Sequence, residues 1–201
     1  MEKETREKIG QNTLEYRKAE YGIIQLLKKH SIPIHLWDKG EAKTVDRLVA
    51  EIIEGDSVLQ VFNGELVRKL RCVDVEVTHN YLGQELRLKE AKQVFPDGRE
   101  RHRDYYGVSE KIVLGEDLFK GTQRALQEEL SISKEITEKE LGITFVDELF
   151  EQLTSQSYPG LTTHYTVYKM KAELPPSEFN PEGYIEEAEN LITYFVWEEV
   201  E

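Results

Sequence analysis

The stretch that most constrains the fold is Glu110 to Ile132, EKIVLGEDLFKGTQRALQEELSI, because it sets carboxylates and an arginine at fixed helical spacing beside an apolar stripe. Residues 118, 122, 126 and 130 share one helical face, so Leu118, Thr122, Leu126 and Leu130 are expected to meet a core. Glu128 and Glu129 flank that stripe, and Arg124 stands one turn before Glu128, close enough to pair with it. With Glu116 in the preceding loop, they make an oxygen-only set of the kind hard divalent cations prefer, magnesium first. A cation held by one or two carboxylates takes its other ligands from water and substrate phosphates, which gives an acidic protein a way to bind an anion.

That route matters because the chain of 201 residues carries a formal net charge of −13. Such a charge repels a polyphosphate backbone, so no polymeric nucleic acid is expected as a partner. The 39% of hydrophobic residues suffices for one core, and the 32% of charged residues leaves a solvated exterior. A single cysteine, Cys72, excludes an internal disulfide and reads as a small core residue in a strand-like run. No apolar run reaches bilayer-spanning length and MEKETREKIG lacks a signal-peptide core, so the expectation is a cytoplasmic protein with no membrane association.

Along the chain, Leu14 to His30 reads as an amphipathic helix ending in Lys28 and Lys29, which suit the helix dipole. Thr44 caps a second helix with Val45, Leu48, Val49, Ile52 and Ile53 on one face, ended by Gly55. Residues 1–58 are thus expected to be an N-terminal helical extension, and 59–201 the principal domain. Val73, Val75 and Val77 alternate with polar residues in a strand from Leu66 to Thr78. Leu86 to Phe95 and Glu100 to Val108 follow around the Pro96-Asp97-Gly98 turn, completing an antiparallel meander. The last of these is polar on both faces, and its Arg101 and Arg103 could grip a phosphate or carboxylate, or keep an exposed edge soluble. Phe145 to Phe150 reads as a strand or short helix and Thr162 to Leu174 as a buried strand. Pro175 to Glu189 reads as a loop, and Leu191 to Trp197 as the last strand.

Arg124-Ala125-Leu126-Gln127-Glu128-Glu129-Leu130-Ser131-Ile132 resembles the signature of the Nudix (MutT-like) hydrolase superfamily. That box reads G, five residues, E, seven residues, then R-E-U-x-E-E-x-G-U, with U aliphatic. Glu116, Arg124, Leu126, Glu128, Glu129 and Ile132 fall on its fixed positions. Glu110 and Ser131 replace its glycines, and Ala125 replaces the glutamate after the arginine. The resemblance implies an α+β fold, an α/β/α sandwich with a mixed sheet over residues 59–201. It also implies Mg- or Mn-dependent hydrolysis of a diphosphate linkage in a small nucleoside-diphosphate-type substrate. Under it, Glu116, Glu128 and Glu129 would be metal ligands and Glu128, Glu129 and Arg124 the catalytic set; Arg101 and Arg103, from the arginine pair itself, are the candidate substrate contacts. Glu116 could equally buttress the box, and Glu186, Glu187 or Glu189 could add a carboxylate from outside it.

Ala125 removes one carboxylate from the box, so a catalytically inactive ligand- or partner-binding module is the alternative. A third reading makes the chain an assembly subunit docking through its N-terminal helices, and a homodimer is left open. Nudix folds usually end in a helix that covers one sheet face, whereas here only Glu198 to Glu201 follow the last strand, so an N-terminal helix is expected to take that place. Tyr105, Tyr106 and Tyr158 could stack on a base or serve as core and rim.

Overall fold

The computed structural model describes residues 13–40, 42–188 and 191–200. The N-terminal decapeptide and Glu189, both used in the sequence reading, lie outside them. Local chemistry sets the element ends. Helix α1 (Leu14–Lys29) starts at Thr13, whose side chain accepts from the Tyr16 N–H, and ends on Lys28 and Lys29. A 3₁₀ turn (Ile34–Leu36) leads to α2 (Val45–Ile53), capped by Thr44 at the Arg47 N–H. Ten strands follow: β1 (Val58–Phe62), β2 (Glu65–Tyr81), β3 (Gln84–Val94), β4 (Glu100–Arg101), β5 (Tyr105–Tyr106), β6 (Val108–Ile112), β7 (Thr144–Thr154), β8 (Thr162–Glu173), β9 (Tyr184–Ala188) and β10 (Leu191–Glu199). Helix α3 (Leu118–Leu130) lies between β6 and β7.

The fold is α+β, with one mixed sheet ordered β7-β8-β2-β3-β10-β9, to which β1 and β6 add on β2, and β4 and β5 on β3. β7 ends this order, and all eleven of its residues are exposed. The chain divides into two compact units, Met1–Arg71 with Phe150–Thr166, and Cys72–Leu149 with Val167–Glu201. The boundaries between these units fall within β2, β7 and β8.

In the first unit, Leu27, Trp37, Leu48, Leu66, Tyr158 and Leu161 form the core. Tyr158, weighed as a base-stacking residue or as core or rim, is a fully buried core residue, and the Trp37 indole donates to the Pro159 carbonyl at 2.9 Å. The Asn63-Gly64 turn, with both φ positive, joins β1 to β2; this hairpin signature was present in the sequence, and β1 was not read from it. Ile53, expected on the buried face of α2, is 51% exposed, while Glu51 is fully buried.

The second unit's core takes Val73, Val75 and Val77 from β2, as the alternation predicts, with Ala125, Leu126 and Leu130 from α3. Cys72, on the opposite face, is only half-buried. The single strand expected over Glu100 to Val108 is instead two short pairings with β3, separated by residues 102–104. The expected loop before the last strand contains β9, which pairs with β10. The buried side chains of α1 and α2 belong to the first unit, and the second unit's core draws none from either. Leu27 of α1 and Leu48 of α2 share the first unit's core with Leu66 of β2, so neither helix is detached from the strands of its own unit. Among the described residues, no helix is long and apolar enough to cross a membrane.

Candidate functional site

The box stretch folds as a strand, a tight loop and a helix. Gly115 turns the loop with φ +83°, and Asp117 caps α3 by accepting from the Phe119 and Lys120 N–H groups, each at 3.1 Å. Gly121 lets the helix approach β6: a Cβ there would stand 2.3 Å from Ile112 Cδ1 and 3.2 Å from the Glu116 carboxyl. Its role was not read from the sequence, where a glycine inside a helical pattern is the signal for such an approach.

Arg124 organises the charges. Its Nε donates to Glu116 Oε1 at 2.8 Å, and one terminal nitrogen donates to Glu116 Oε2 at 3.0 Å and to the Lys111 carbonyl at 2.8 Å. The other terminal nitrogen reaches Glu128 Oε2 at 3.1 Å, the one-turn pair expected from the spacing. Glu116 Oε2 also accepts from the Val113 N–H at 3.0 Å, so both oxygens of this expected ligand are engaged in fixing the loop. The carboxylates of Glu116 and Glu128 hold the Arg124 guanidinium firmly protonated.

Glu129 has a different environment. It lines a cleft of about 180 Å³ with Glu90, Gln93, Arg103, Glu186 and Thr193. Burial first, then the charges and hydrogen-bonding reach of Glu186 and Glu110, push its carboxyl up to about 9. Glu110, a departure from the box glycine, lies in β6 without a positive φ, so no glycine is required there and its side chain opposes Glu129. Ser131, the other departure, is the left-handed C-cap of α3 with φ +54° and ψ +29°, where a glycine would be unstrained.

Of the two arginines expected to meet substrate, Arg103 lines this cleft and donates to Glu90 Oε2 at 3.3 Å. Arg101 is instead held on Gln93 Oε1 through Nε at 2.9 Å and one terminal nitrogen. Tyr105 donates to Asp74 at 2.6 Å and Tyr106 to Glu198 at 2.8 Å. Glu90, which the sequence reading missed, is 4% exposed, and its Oε1 has no hydrogen-bond partner. Burial raises its pKa, Arg103 and Arg101 offset part of this, and Glu186 adds to it.

Ala125 is fully buried in the core. Among the described residues, no three His, Cys, Asp or Glu side chains are gathered so as to hold a metal ion. The donor set around Glu129, with the Glu186 and Glu110 carboxylates acting on it, is of the oxygen-only type that hard cations take, but its side chains are not gathered as a metal site.

No family model and no curated protein matches the chain. Among solved structures it is similar to an Ap4A hydrolase from C. elegans, at 16% identity over 65% of this chain and 80% of that one, with a TM-score of 0.32. It is similar also to the NUDIX domain of Shewanella oneidensis NrtR complexed with ADP ribose, at 12% identity, 65% and 73% coverage and a TM-score of 0.34. A third similar structure is T. brucei MERS1 in complex with RNA, at 13% identity, 63% and 38% coverage and a TM-score of 0.32.

Proposed function

We propose that the chain is a Nudix-like, metal-dependent hydrolase that cleaves a diphosphate linkage in a small nucleoside-diphosphate-type metabolite. The observation that carries this reading is the division of labour in the box: Arg124 binds Glu116 and Glu128, while Glu129 is left in a cleft with Glu186 and Arg103. Glu129, with Glu186 and Glu110 beside it and Glu128 at the helix surface, would hold magnesium or manganese. A divalent cation bound there supplies neutralisation of the diphosphate charge and a more acidic water.

The chain's own residues then divide as follows. Glu116 positions the loop through Arg124 and is proposed as a buttress, since both its oxygens are engaged. Arg103, 43% exposed in its side chain, offers a guanidinium to a substrate phosphate while Glu90 holds its other side. Arg101 acts one step back, by fixing Gln93 in the cleft wall. The net charge of −13 supports a small anion delivered with a cation over a nucleic-acid polymer.

A second reading, a binding module without turnover, is favoured by one observation: Ala125 places a methyl group in the core where the box carries a carboxylate. Product analysis over a panel of diphosphate compounds, including ADP-ribose, diadenosine polyphosphates and nucleotide sugars, separates the two. The hydrolase reading expects cleavage that requires magnesium or manganese and is lost in Glu129→Gln. Binding of a panel member without cleavage at any metal concentration would establish the second reading.

A further inference from the structure

We propose that the outer edge of residues 144–149, in strand β7, is a docking site that takes an added β-strand from a polypeptide segment of alternating apolar and basic residues. The inference is independent of the hydrolase reading. β7 stands at one end of the sheet order with β8 as its neighbour. Its other edge therefore presents a row of backbone N–H and C=O groups, which is a template for a further strand. The Glu148 N–H donates to Asp147 Oδ1 at 2.8 Å. A backbone donor engaged by a local carboxylate is one that no adjoining strand has taken, so this N–H belongs to the outer edge. Backbone groups alternate in direction along a strand, so the Val146 N–H shares that edge.

The side chains set what kind of strand fits. Ile143 is buried in the second unit's core, yet from the next residue onward every position of β7 is exposed. Phe145 (50%) and Leu149 (37%) on one side and Val146 (52%) on the other stand open to solvent, where alternation would ordinarily bury one side. Asp147 and Glu148 lie among them, and the segment contains no Lys, Arg, Gly or Pro. Prolines, lysines and short length are the usual guards of a free edge; β9, at the other end of the order, is only five residues long. A second copy of the chain is a poor occupant. It would bring two carboxylates from each copy to the pairing and no cation, between molecules that each carry −13. Lysine or arginine set among apolar residues answers both features, since opposite charges stabilise a strand pair and apolar side chains cover Phe145, Val146 and Leu149.

The test uses the full chain and a fluorescent octapeptide alternating lysine and valine, with the same peptide carrying glutamate for lysine as control. Affinity is read by anisotropy at physiological ionic strength, and the footprint by amide hydrogen exchange. The lysine peptide is expected to bind and to protect residues 144–149 from exchange; the glutamate peptide should do neither. Val146→Pro removes an outward N–H and leaves the pairing with β8 intact, so it should weaken binding about tenfold, the loss of one backbone hydrogen bond. Asp147→Asn combined with Glu148→Gln keeps the local hydrogen bond and removes the charge, and should weaken binding by about two- to tenfold. Failure of the lysine peptide to bind, or binding without protection of residues 144–149, overturns the proposal. Equal affinity in wild type and Val146→Pro assigns the attraction to diffuse charge and overturns it too. Dimerisation of the chain alone that Val146→Pro abolishes overturns the choice of partner in favour of a second copy. If Val146→Pro does not fold, the doubly neutral variant decides: an unchanged affinity for the lysine peptide overturns the proposal.

Discussion

The molecule contains two acidic centres, each with one buried glutamate, Glu51 and Glu90, that solve the same electrostatic problem in opposite ways. In the first unit, Glu51 is fully buried and both its oxygens meet cations, Lys43 at 2.9 Å and Arg68 at 2.5 Å. Arg68 in turn takes Ser57 as a second partner and lies over the Tyr158 ring, 5.1 Å from its centroid. In the second unit, Glu129 faces Glu186 and Glu110, and Glu90 keeps one oxygen unmatched. A closed network of this kind holds a fold in one arrangement, whereas an open one is tolerated where a ligand completes it. Burial alone does not mark a functional carboxylate; what its oxygens meet does.

The largest effect is expected where the network is closed. Glu51→Ala removes the partner of a guanidinium whose side chain is only 4% exposed and leaves that charge buried. Stripping one member from a buried ion pair costs about 3–5 kcal/mol, measurable as a fall in the urea midpoint of the full chain. Glu90→Gln should cost far less, because it removes a charge that is only half matched. A similar loss in both variants would break the distinction between the two centres.

The next effect is a pH dependence confined to the open centre. Glu129 is raised to about 9 by burial, then by Glu186 and Glu110, whereas in the unfolded chain a glutamate titrates near ~4.3. The folded, metal-free protein therefore retains a proton that the unfolded chain has released. The resulting stability is fully present below the unfolded value and is lost as pH rises through the folded one. Glutamine cannot ionise, so Glu129→Gln should lose less stability than wild type between about pH 5 and pH 9. Melting both proteins in chelator across that range tests this; parallel curves would mean that Glu129 is not held against its neighbours.

What was legible in the sequence follows from how local each feature is. Thr44 and the Arg124–Glu128 pair were readable because caps and one-turn pairs involve neighbours within four residues. Val73, Val75 and Val77 were readable because alternation is a property of one strand. Glu90 was not, since LRLKEAKQV has the look of a solvated strand. Its meaning arises only when β3, β9 and α3 bring it beside Glu186 and Glu129. Glu51 was hidden the same way, by partners at positions 43 and 68. The pairing of β9 with β10 was obscured by the prolines that precede it.

The smallest effect is the control for the pH argument. Ser131 follows Glu129 by two residues and sits in the left-handed region, φ +54°, where an L side chain costs roughly 1–2 kcal/mol. Glycine relieves that strain, but its greater freedom in the unfolded chain takes back part of the gain, leaving Ser131→Gly about 0.5–1 kcal/mol more stable than wild type. The gain is conformational and involves no proton, so it should be the same at every pH between about 5 and 9. Glu129→Gln, by contrast, should gain on wild type as pH rises. If Ser131→Gly showed the same rising advantage, the pH dependence would belong to the end of α3 as a whole. A flat advantage in Ser131→Gly beside a rising one in Glu129→Gln assigns it to the carboxylate and its acidic neighbours.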